Sequence, residues 1–434
     1  AFEKNLVISV VDDPLDNVIH IPSSDFFAQD ASKFDRFGDD LSFSGNLLAV
    51  AASRADLEDN KTDAGAVYLY RMETDGSASS LSKVTAPDAS TDARFGSSLD
   101  LSGDLLVVGA PDAGQESNSS HEGAAYLYRV HPNGSVAFLT KLSNPNAGVG
   151  SHSFGETLSV SGNLLAVGNS RASLDYERYF TGAVYLYRVE ENGSATYLSQ
   201  VMAPDASRFD FFGSSLSLSG DLLAVGAPNV DAQGAEVESH WDTGAVYLYR
   251  LESNGSADLL TKLTVPDGAG HDRFGFSVTQ SGNLLAVGAD GVNESGRENV
   301  GSVYLYRLEP DGNATFLSQV TPRDATENYH FGQEVSFSDG LLAVGVIYAD
   351  HQEQDSVGAV YLYRLEENGS VATMGKLVSP SDQSYGHFGS SVGQSQSHLA
   401  AGIVYSNLSG VSSAGATYVF HLDGLEGDLD GDEI

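Results

Sequence analysis

The pair Phe-Gly recurs seven times at nearly constant spacing, and this periodicity limits the fold more than any other feature of the chain. Successive pairs are 57 to 62 residues apart, at Phe37, Phe95, Phe154, Phe212, Phe274, Phe331 and Phe388. A repeat of this kind is one supersecondary unit that buries its apolar faces against neighbouring copies. The 434 residues therefore predict one repeat array, although their length alone would allow two or three domains.

Each repeat carries the pattern of four short antiparallel strands. In the fourth repeat we predict strands at 216–218, 222–226, 245–250 and 258–263, from apolar alternation bounded by Gly, Asn and Asp. Gly-Asn or Gly-Asp joins the first two strands and Asn-Gly or Asp-Gly the last two, so we expect primed turns at both places. Seven such units predict an all-β fold, a seven-bladed β-propeller of four-stranded antiparallel blades.

The two ends of the array complement each other. The last repeat supplies three strands, the third at 416–422, and lacks a fourth. The residues before the first Phe-Gly pair, 30–35, match residues 205–210 of the fourth repeat, which places residues 21–28 where a fourth strand belongs. We expect this N-terminal strand to complete the last blade, because closing the ring removes exposed sheet edges.

Three segments follow from this arrangement: an N-terminal arm (1–20), the propeller (21–424) and an acidic C-terminal tail (425–434). The arm contains an apolar run at 5–11 that predicts a further strand. This strand either runs along its own propeller or adds to the sheet of a neighbouring subunit, which would give self-assembly. The tail has the spacing that begins an EF-hand calcium loop, with candidate metal ligands Asp428, Asp430 and Asp432.

The repeats resemble FG-GAP repeats, the blades of the integrin α-subunit propeller and of many microbial surface proteins. The resemblance rests on the seven Phe-Gly pairs, on Gly-Ala-Pro at 109–111 and 226–228, and on the Gly-Ala-Val-Tyr-Leu-Tyr third strands. It implies a ligand-binding or adhesion propeller at the cell exterior. The integrin-type calcium loop between the first two strands is shortened here to a two-residue turn, too short to supply six or more oxygens. We expect no cofactor. If calcium binds, we expect it to bind outside such blade loops.

The charge balance bears on the partners. Against 22 Lys and Arg residues stand 59 Asp and Glu residues, a formal net charge of −37. Such a field repels nucleic acid and anionic membrane surfaces, and no apolar run is long enough to span a bilayer. The chain has no cysteine and begins at Ala1, which fits a secreted protein after removal of a signal peptide and equally a trimmed chain. We therefore expect an extracellular, secreted or cell-surface location.

Catalytic patterns are missing from the sequence. It has no G-x-S-x-G elbow, no phosphate-binding glycine loop and no H-E-x-x-H motif. We expect a binding protein and not an enzyme. A structural subunit of an extracellular filament or surface layer is the alternative, and a carbohydrate-active enzyme with residues scattered over loops is the least favoured of the three.

Ligand contacts are expected on one face of the propeller. We call the face with the connections from second to third and from fourth to first strand the loop face, and the opposite one the turn face. The loop face varies between repeats, and its longest loop, 227–243, holds the single tryptophan. Exposed aromatic residues anchor protein partners or stack on sugar rings, although they also pack on their own loops. The candidate ligand-binding residues are Trp241, His240, Tyr176, Tyr179 and Tyr348.

Other loop residues suggest a cation site or an active site. The first repeat carries Asp56, Glu58, Asp59 and Asp63, and the sixth Asp350, Glu353 and Asp355, but without fixed ligand spacing a solvated surface is favoured. Histidines or arginines precede several Phe-Gly pairs, and their differences between repeats favour surface variety over a catalytic ring. These residues are His152, His330, His387, Arg36, Arg94 and Arg273.

N-x-Ser/Thr sequons occur nine times, which predicts a glycoprotein if the chain is secreted through a glycosylating pathway. Five lie at turns between third and fourth strands, where Asn-Gly-Ser also serves turn geometry, and four lie in loop-face connections. The predicted sites are Asn60, Asn118, Asn133, Asn192, Asn254, Asn293, Asn313, Asn368 and Asn407.

Overall fold

The computed structural model forms seven four-stranded antiparallel sheets, one for each Phe-Gly pair. It describes residues 18, 23–28, 30–73, 77–114, 122–146, 153–173, 175, 178–232, 241–265, 268–351, 354–366, 369–379, 385–407 and 411–422. The first strands of consecutive sheets contact one another, and the last contacts the first, so the sheets form a closed ring. The prediction of an all-β seven-bladed propeller is confirmed.

The strands of each blade run outward from the axis in the order first to fourth. Their bounds, by blade, are: in blade 1, β2 (Phe37–Ser44), β3 (Leu47–Ala52), β4 (Ala66–Met72) and β5 (Ala78–Val84); in blade 2, β6 (Ser98–Ser102), β7 (Leu105–Ala110), β8 (Ala124–Val130) and β9 (Val136–Ser143); in blade 3, β10 (Leu158–Ser161), β11 (Leu164–Asn169), β12 (Ala183–Val189) and β13 (Ala195–Val201); in blade 4, β14 (Ser215–Ser219), β15 (Leu222–Ala227), β16 (Ala245–Leu251) and β17 (Ala257–Leu263); in blade 5, β18 (Ser277–Ser281), β19 (Leu284–Ala289), β20 (Ser302–Leu308) and β21 (Ala314–Val320); in blade 6, β22 (Glu334–Ser338), β23 (Leu341–Val346), β24 (Ala359–Leu365) and β25 (Val371–Val378); and in blade 7, β26 (Phe388–Gln394), β27 (His398–Ile403), β28 (Ala416–His421) and β1 (Ser23–Phe26).

The ring closes through the N-terminal strand, as the sequence predicts. β1 pairs antiparallel with β28, with Ser23 opposite Phe420, and becomes the outer strand of blade 7. At the inner end of the same junction, the Phe37 N–H donates to the Ala414 carbonyl at 2.9 Å. The chain termini therefore contribute to one blade, which ties blade 1 to blade 7.

The Phe-Gly pair forms a joint between blades. The Phe274 ring is fully buried and packs edge-on against Tyr304 of its own third strand, with ring centroids 5.5 Å apart. Its N–H donates to the Thr243 carbonyl of the preceding blade at 3.0 Å. A Cβ on Gly244 would lie only 2.2 Å from the Phe274 carbonyl oxygen. Glycine before the third strand is therefore required because two backbones meet there.

The turns agree with the prediction between the first two strands of a blade and differ from it between the last two. In the Gly220-Asp221 turn only the glycine has a positive φ, which is a type II′ turn. In the turn between β16 and β17 only Gly255 does, and its N–H donates to the Glu252 carbonyl at 2.8 Å. This is a three-residue loop ending in a left-handed glycine, so the expected primed turn is wrong here. The cause is Asn254, whose Oδ1 accepts the Ser256 N–H at 2.8 Å and closes an Asx turn.

In each of four blades, an Asp, a Tyr and a Lys side chain connect the third and fourth strands by hydrogen bonds. In blade 4, Asp205 accepts hydrogen bonds from the Tyr247 hydroxyl and the Lys262 ammonium group, each at 2.7 Å. The Asp lies in the connection before the Phe-Gly pair, the Tyr on the third strand and the Lys on the fourth. The corresponding carboxylates in the other three blades are Asp30, Asp88 and Asp324.

The N-terminal arm touches the propeller at one described residue. Val18 forms a parallel bridge with Lys376 of β25, the outer strand of blade 6. At this position the arm lies against its own propeller. The rest of the arm and the tail, with Asp428, Asp430 and Asp432, lie outside the described residues.

Candidate functional site

The residue before each Phe-Gly pair has a left-handed backbone, with φ between 54° and 74° in all seven blades. It lies at the loop-face end of the innermost strand, so the seven side chains ring the axis on that face. Because the backbone geometry repeats, the side chains start in equivalent directions. The seven residues are Arg36, Arg94, Ser153, Phe211, Arg273, His330 and His387.

A buried carboxylate organises one side of this ring. Asp290, at the end of β19, is completely buried, and its Oδ2 accepts the Arg273 guanidinium at 2.6 Å. The same oxygen accepts the Gln333 amide at 3.0 Å and lies 3.5 Å from His330 Nδ1. The Arg273 and Gln333 side chains, from blades 5 and 6, are thus held by one anchor, which fixes their orientation at the axis.

Imidazole and phenol rings alternate from there to blade 1. The His330 and Tyr348 centroids are 5.5 Å apart, those of Tyr348 and His387 5.9 Å, and those of His387 and Tyr405 5.1 Å. The Arg36 guanidinium donates to the Tyr405 hydroxyl at 3.0 Å. Burial lowers the pKa of His387, so this imidazole is neutral at pH 7. We call the following set the axial cluster: Arg36, Asp290, His330, Tyr348, His387 and Tyr405.

A second group, the Phe platform, consists of Phe180, Phe209 and Phe211 at the junction of blades 3 and 4. The Phe180 ring stacks on Phe211 with centroids 5.9 Å apart and tilts against Phe209 at 5.8 Å. Phe209 is 40% exposed, and the Arg208 guanidinium lies 4.6 Å from its ring centroid. The platform therefore presents apolar rings and one cation to solvent.

The structure disperses the candidate ligand-binding residues. Trp241 is 46% exposed, and its carbonyl accepts the His271 N–H at 2.7 Å. Tyr179 lies beside the Phe platform, with Arg208 5.4 Å from its ring, and Tyr348 belongs to the axial cluster. Among the described residues, no aromatic contact joins these three side chains. The remaining two candidates, His240 and Tyr176, lie outside the described residues.

Sequence reasoning missed four residues of these groups: Asp290, Tyr405, Phe209 and Phe211. A signal for one of them was available in the repeat alignment. Tyr348 and Tyr405 follow β23 and β27 at the same distance in consecutive blades. His387, which precedes a Phe-Gly pair, lies between them in the sequence. What the sequence hides is that a residue after one blade's second strand meets the residue before the next blade's Phe-Gly pair.

The acidic residues of the loop-face connections close their own loops. Asp56 Oδ1 accepts the Asp63 N–H at 3.0 Å, and Asp350 Oδ1 accepts the Ser356 N–H at 2.8 Å. In other blades an asparagine takes this position, as with Asn293, which accepts the Asn299 N–H at 2.8 Å. Within the described residues no group of three or more His, Asp or Glu side chains is arranged to hold a metal ion. Glu353 lies outside that part of the chain.

Three carboxyls on the innermost strands, those of Asp40, Asp100 and Glu334, have pKa values raised by burial. Burial raises the pKa of Asp100 to about 6 and that of Glu334 to about 7, against partial compensation by backbone N–H donors. Asp100 Oδ2 accepts the Val160 N–H at 2.7 Å, and Glu334 Oε1 accepts the Val392 N–H at 3.3 Å. Both groups link neighbouring first strands around the axis, which is a structural use of these carboxyls.

Sequons at three turns share one geometry. The Oδ1 atoms of Asn133, Asn192 and Asn254 accept both the N–H and the hydroxyl of the Ser two residues on. Asn313 differs, because its N–H and amide donate to Asp311, which takes the turn position instead. The expectation that turn geometry explains Asn313 is therefore wrong. Asn118 and Asn368 lie outside the described residues.

Comparisons with known proteins give a family and a fold. The family model described as FG-GAP repeat matches five stretches, at residues 23–70, 79–128, 197–249, 259–306 and 315–363. Integrin alpha-E from Homo sapiens is 32% identical in an alignment of 180 residues, which covers 36% of this chain and only 14% of the integrin.

Among solved structures, Sqt1 from Chaetomium thermophilum is 15% identical with a TM-score of 0.50, covering 88% of this chain and 82% of its own. The periplasmic gluconolactonase PpgL from Pseudomonas aeruginosa is 18% identical with a TM-score of 0.48, covering 78% and 84%. The similarity to Sqt1 concerns the fold alone. In the described part of the chain, no helix has the length and apolar character to cross a membrane.

Proposed function

The chain belongs to the FG-GAP repeat family, and from that premise we propose that it is an extracellular or cell-surface adhesion propeller whose loop face binds a protein or carbohydrate ligand. The Phe platform is the observation that carries the proposal. The integrin relative supports the exterior location and the class of function, although it shares only part of its length with this chain.

The platform is held in an unfavourable backbone conformation. Phe180, Phe209 and Phe211 have φ values of 53°, 68° and 54°. A left-handed conformation costs a residue with a side chain about 1–2 kcal/mol, and bulky residues adopt it least readily. At the position of Phe180 the other described blades carry small polar residues, which adopt it more easily: Asp63, Asp242, Asn299, Ser356 and Ser413.

Burial does not account for this choice of residues. Phe209 remains 40% exposed although the stacked rings could be replaced by asparagine or serine at lower conformational cost. Aromatic side chains beside an arginine are the residues that most often dominate a binding interface. The strained, exposed stack therefore supports a contact surface for a partner.

The turn face supports the same assignment. Asn133, Asn192 and Asn254 are exposed at the turns of blades 2, 3 and 4. In a glycosylating secretory pathway these sites would carry sugar chains and cover the turn face. A ligand would then find the loop face open, and the protein would be a secreted glycoprotein.

We propose binding in preference to catalysis because the sequence has no catalytic motif. If the protein has an active site, the axial cluster is the candidate, and incubation with a panel of polysaccharides tests this. New reducing or unsaturated ends would show that the protein is an enzyme. The alternative role in a filament or surface layer is tested by light scattering on the full chain. A monomer at high concentration counts against assembly.

The absence of cysteine allows a direct test of the face. Ser207→Cys lies on the loop face two residues before Phe209, and Ser253→Cys lies on the turn face of the same blade. Each variant is coupled to a polyethylene glycol maleimide and applied, with the unmodified wild type, to an array of extracellular matrix proteins and polysaccharides. We expect spots bound by the wild type to be lost with the loop-face label and kept with the turn-face label. Equal loss with both labels, or loss only with the turn-face label, would refute the proposal.

A further inference from the structure

The axial cluster contains a cation that has no carboxylate partner in the described part of the chain. The Arg36 guanidinium donates a hydrogen bond to the Tyr405 hydroxyl, and no carboxylate of the described residues forms an ion pair with it. The other two arginines at this position are paired, Arg94 with Asp112 at 3.3 Å and Arg273 with Asp290 at 2.6 Å. Arg36 therefore differs from its counterparts in the ring around the axis.

Two contacts with Tyr405 fix the position of the Arg36 guanidinium. The Tyr405 hydroxyl and ring hold the Arg36 guanidinium in place, with its centre 5.4 Å from the ring centroid. A held, unpaired guanidinium is suited to a bidentate contact with a carboxylate.

The neighbouring rings offer a flat surface beside this cation. Tyr348 is 39% exposed and is flanked by the imidazoles of His330 and His387. An exposed phenol ring can stack on the apolar face of a sugar, and the neutral imidazole of His387 can both donate hydrogen bonds to hydroxyl groups and accept them. Asp290 fixes the far end of the row through Arg273 and Gln333.

We propose that the axial cluster is a binding site for an oligosaccharide of carboxylated sugar units, hexuronates, with the carboxylate of one unit on Arg36 and the ring of another unit, further along the row, against Tyr348. An acidic peptide would satisfy Arg36 but would leave the row of rings without a matching flat, hydroxyl-bearing partner. The site lies on the same loop face but apart from the Phe platform, so the proposal rests on ligand binding by that face and does not depend on the platform.

The charge of the whole molecule gives this binding an uncommon salt dependence. Distant carboxylates of the chain, with net charge −37, repel an anionic sugar, whereas the Arg36 contact attracts it at short range. Raising ionic strength from about 10 mM to about 150 mM shortens the screening length from about 30 Å to about 8 Å. The repulsion is screened first, so affinity rises over this range.

The test uses trigalacturonate and its methyl ester, which share the sugar ring and differ in charge. By titration calorimetry on the full chain, we expect trigalacturonate to bind at least about tenfold more tightly than either the ester or triglutamate. The ester loses the charge-assisted contact with Arg36, and triglutamate loses the contact between the sugar ring and Tyr348. Arg36→Gln and Tyr348→Ala are each expected to weaken binding about tenfold. Arg94→Gln, at the equivalent position of blade 2, is the matched control and should change it less than about twofold.

Four results would overturn the proposal: no binding of trigalacturonate at millimolar concentration, equal binding of the ester, tighter binding of triglutamate, or equal loss in the Arg94 control. An unchanged melting temperature shows that each variant is folded. Phe209→Ala should leave trigalacturonate binding intact while reducing capture on the protein and polysaccharide array, which separates a failure here from a failure of the loop-face contact.

Discussion

Two glycines of blade 5 give a matched test of the inter-blade joint. Gly296 and Gly301 lie in the same loop-face connection and both have φ of +81°. A Cβ on Gly296 would meet nothing within 4 Å. A Cβ on Gly301 would lie 2.1 Å from the Phe331 carbonyl oxygen and 2.4 Å from its backbone nitrogen. The two alanine variants therefore share the backbone strain and differ in the joint.

The magnitudes separate clearly. Alanine in a left-handed conformation costs about 1–2 kcal/mol, and we expect this loss for both variants. In Gly301→Ala the blades must move apart, which adds about 1–3 kcal/mol of packing strain. It also weakens the hydrogen bond from the Phe331 N–H to the Val300 carbonyl, 2.9 Å long, worth about 1 kcal/mol. We expect Gly301→Ala to be about 2–4 kcal/mol less stable than Gly296→Ala.

Urea unfolding followed by tyrosine fluorescence and circular dichroism measures this difference. The midpoint of Gly301→Ala should fall well below that of Gly296→Ala, with similar slopes for wild type and both variants. Equal midpoints for the two variants would show that the joint has room for a methyl group. The explanation of the Phe-Gly repeat given above would then be refuted.

Three further changes test other parts of the structure. Asp205→Ala removes the group that accepts hydrogen bonds from Tyr247 and Lys262. Burial alone would raise the pKa of Asp205, but the two hydrogen bonds outweigh burial and the pKa is lowered. We expect the free energy of unfolding at pH 7, measured by thermal unfolding, to fall by about 1 kcal/mol, a small value because the Asp205 side chain is partly exposed to solvent. This loss should shrink as the pH falls below about 4, and a loss unchanged at pH 3 would contradict the assignment. Glu334→Gln removes a carboxyl whose raised pKa, about 7, makes the folded state bind its proton more tightly. The variant should be about 1–3 kcal/mol more stable than wild type above pH 7 and equal to it below about pH 4, and a pH-independent difference would count against the assignment. Deleting residues 1–28 removes β1 and exposes the edge of β28; light scattering should show association and calorimetry a lower melting temperature, whereas a stable monomer would show that the ring does not need this strand.

The repeats predicted most of the fold because each copy states the same pattern. Seven spaced Phe-Gly pairs and their strand alternation sufficed for the blade count, and the match of 30–35 to 205–210 located the closing strand. The turn between third and fourth strands was mispredicted, because Asn-Gly serves both primed turns and the Asx turn that Asn254 forms. Sequence pattern alone does not distinguish these two uses.

The candidate sites were harder to predict because they join residues of different blades. Tyr348 was chosen for its loop position, yet its neighbours His330 and His387 belong to two junctions and were treated as surface variety. Asp290 was not singled out from the sequence, although it is completely buried and holds Arg273. Such contacts depend on how neighbouring blades are rotated about the axis, and nothing in a single repeat encodes that geometry.

Hydroxyl-radical footprinting of the protein bound to a ligand found on the array tests the loop-face proposal most directly. The exposed aromatic residues provide the readout on both sides: Phe209 and Trp241 on the loop face, 40% and 46% exposed, and Phe138 and Phe316 on the fourth strands of the rim, 46% and 48% exposed. If the loop face binds, oxidation of Phe209 falls on ligand addition while Phe138 and Phe316 keep their rates. Protection of the two rim residues with Phe209 unchanged would contradict the account.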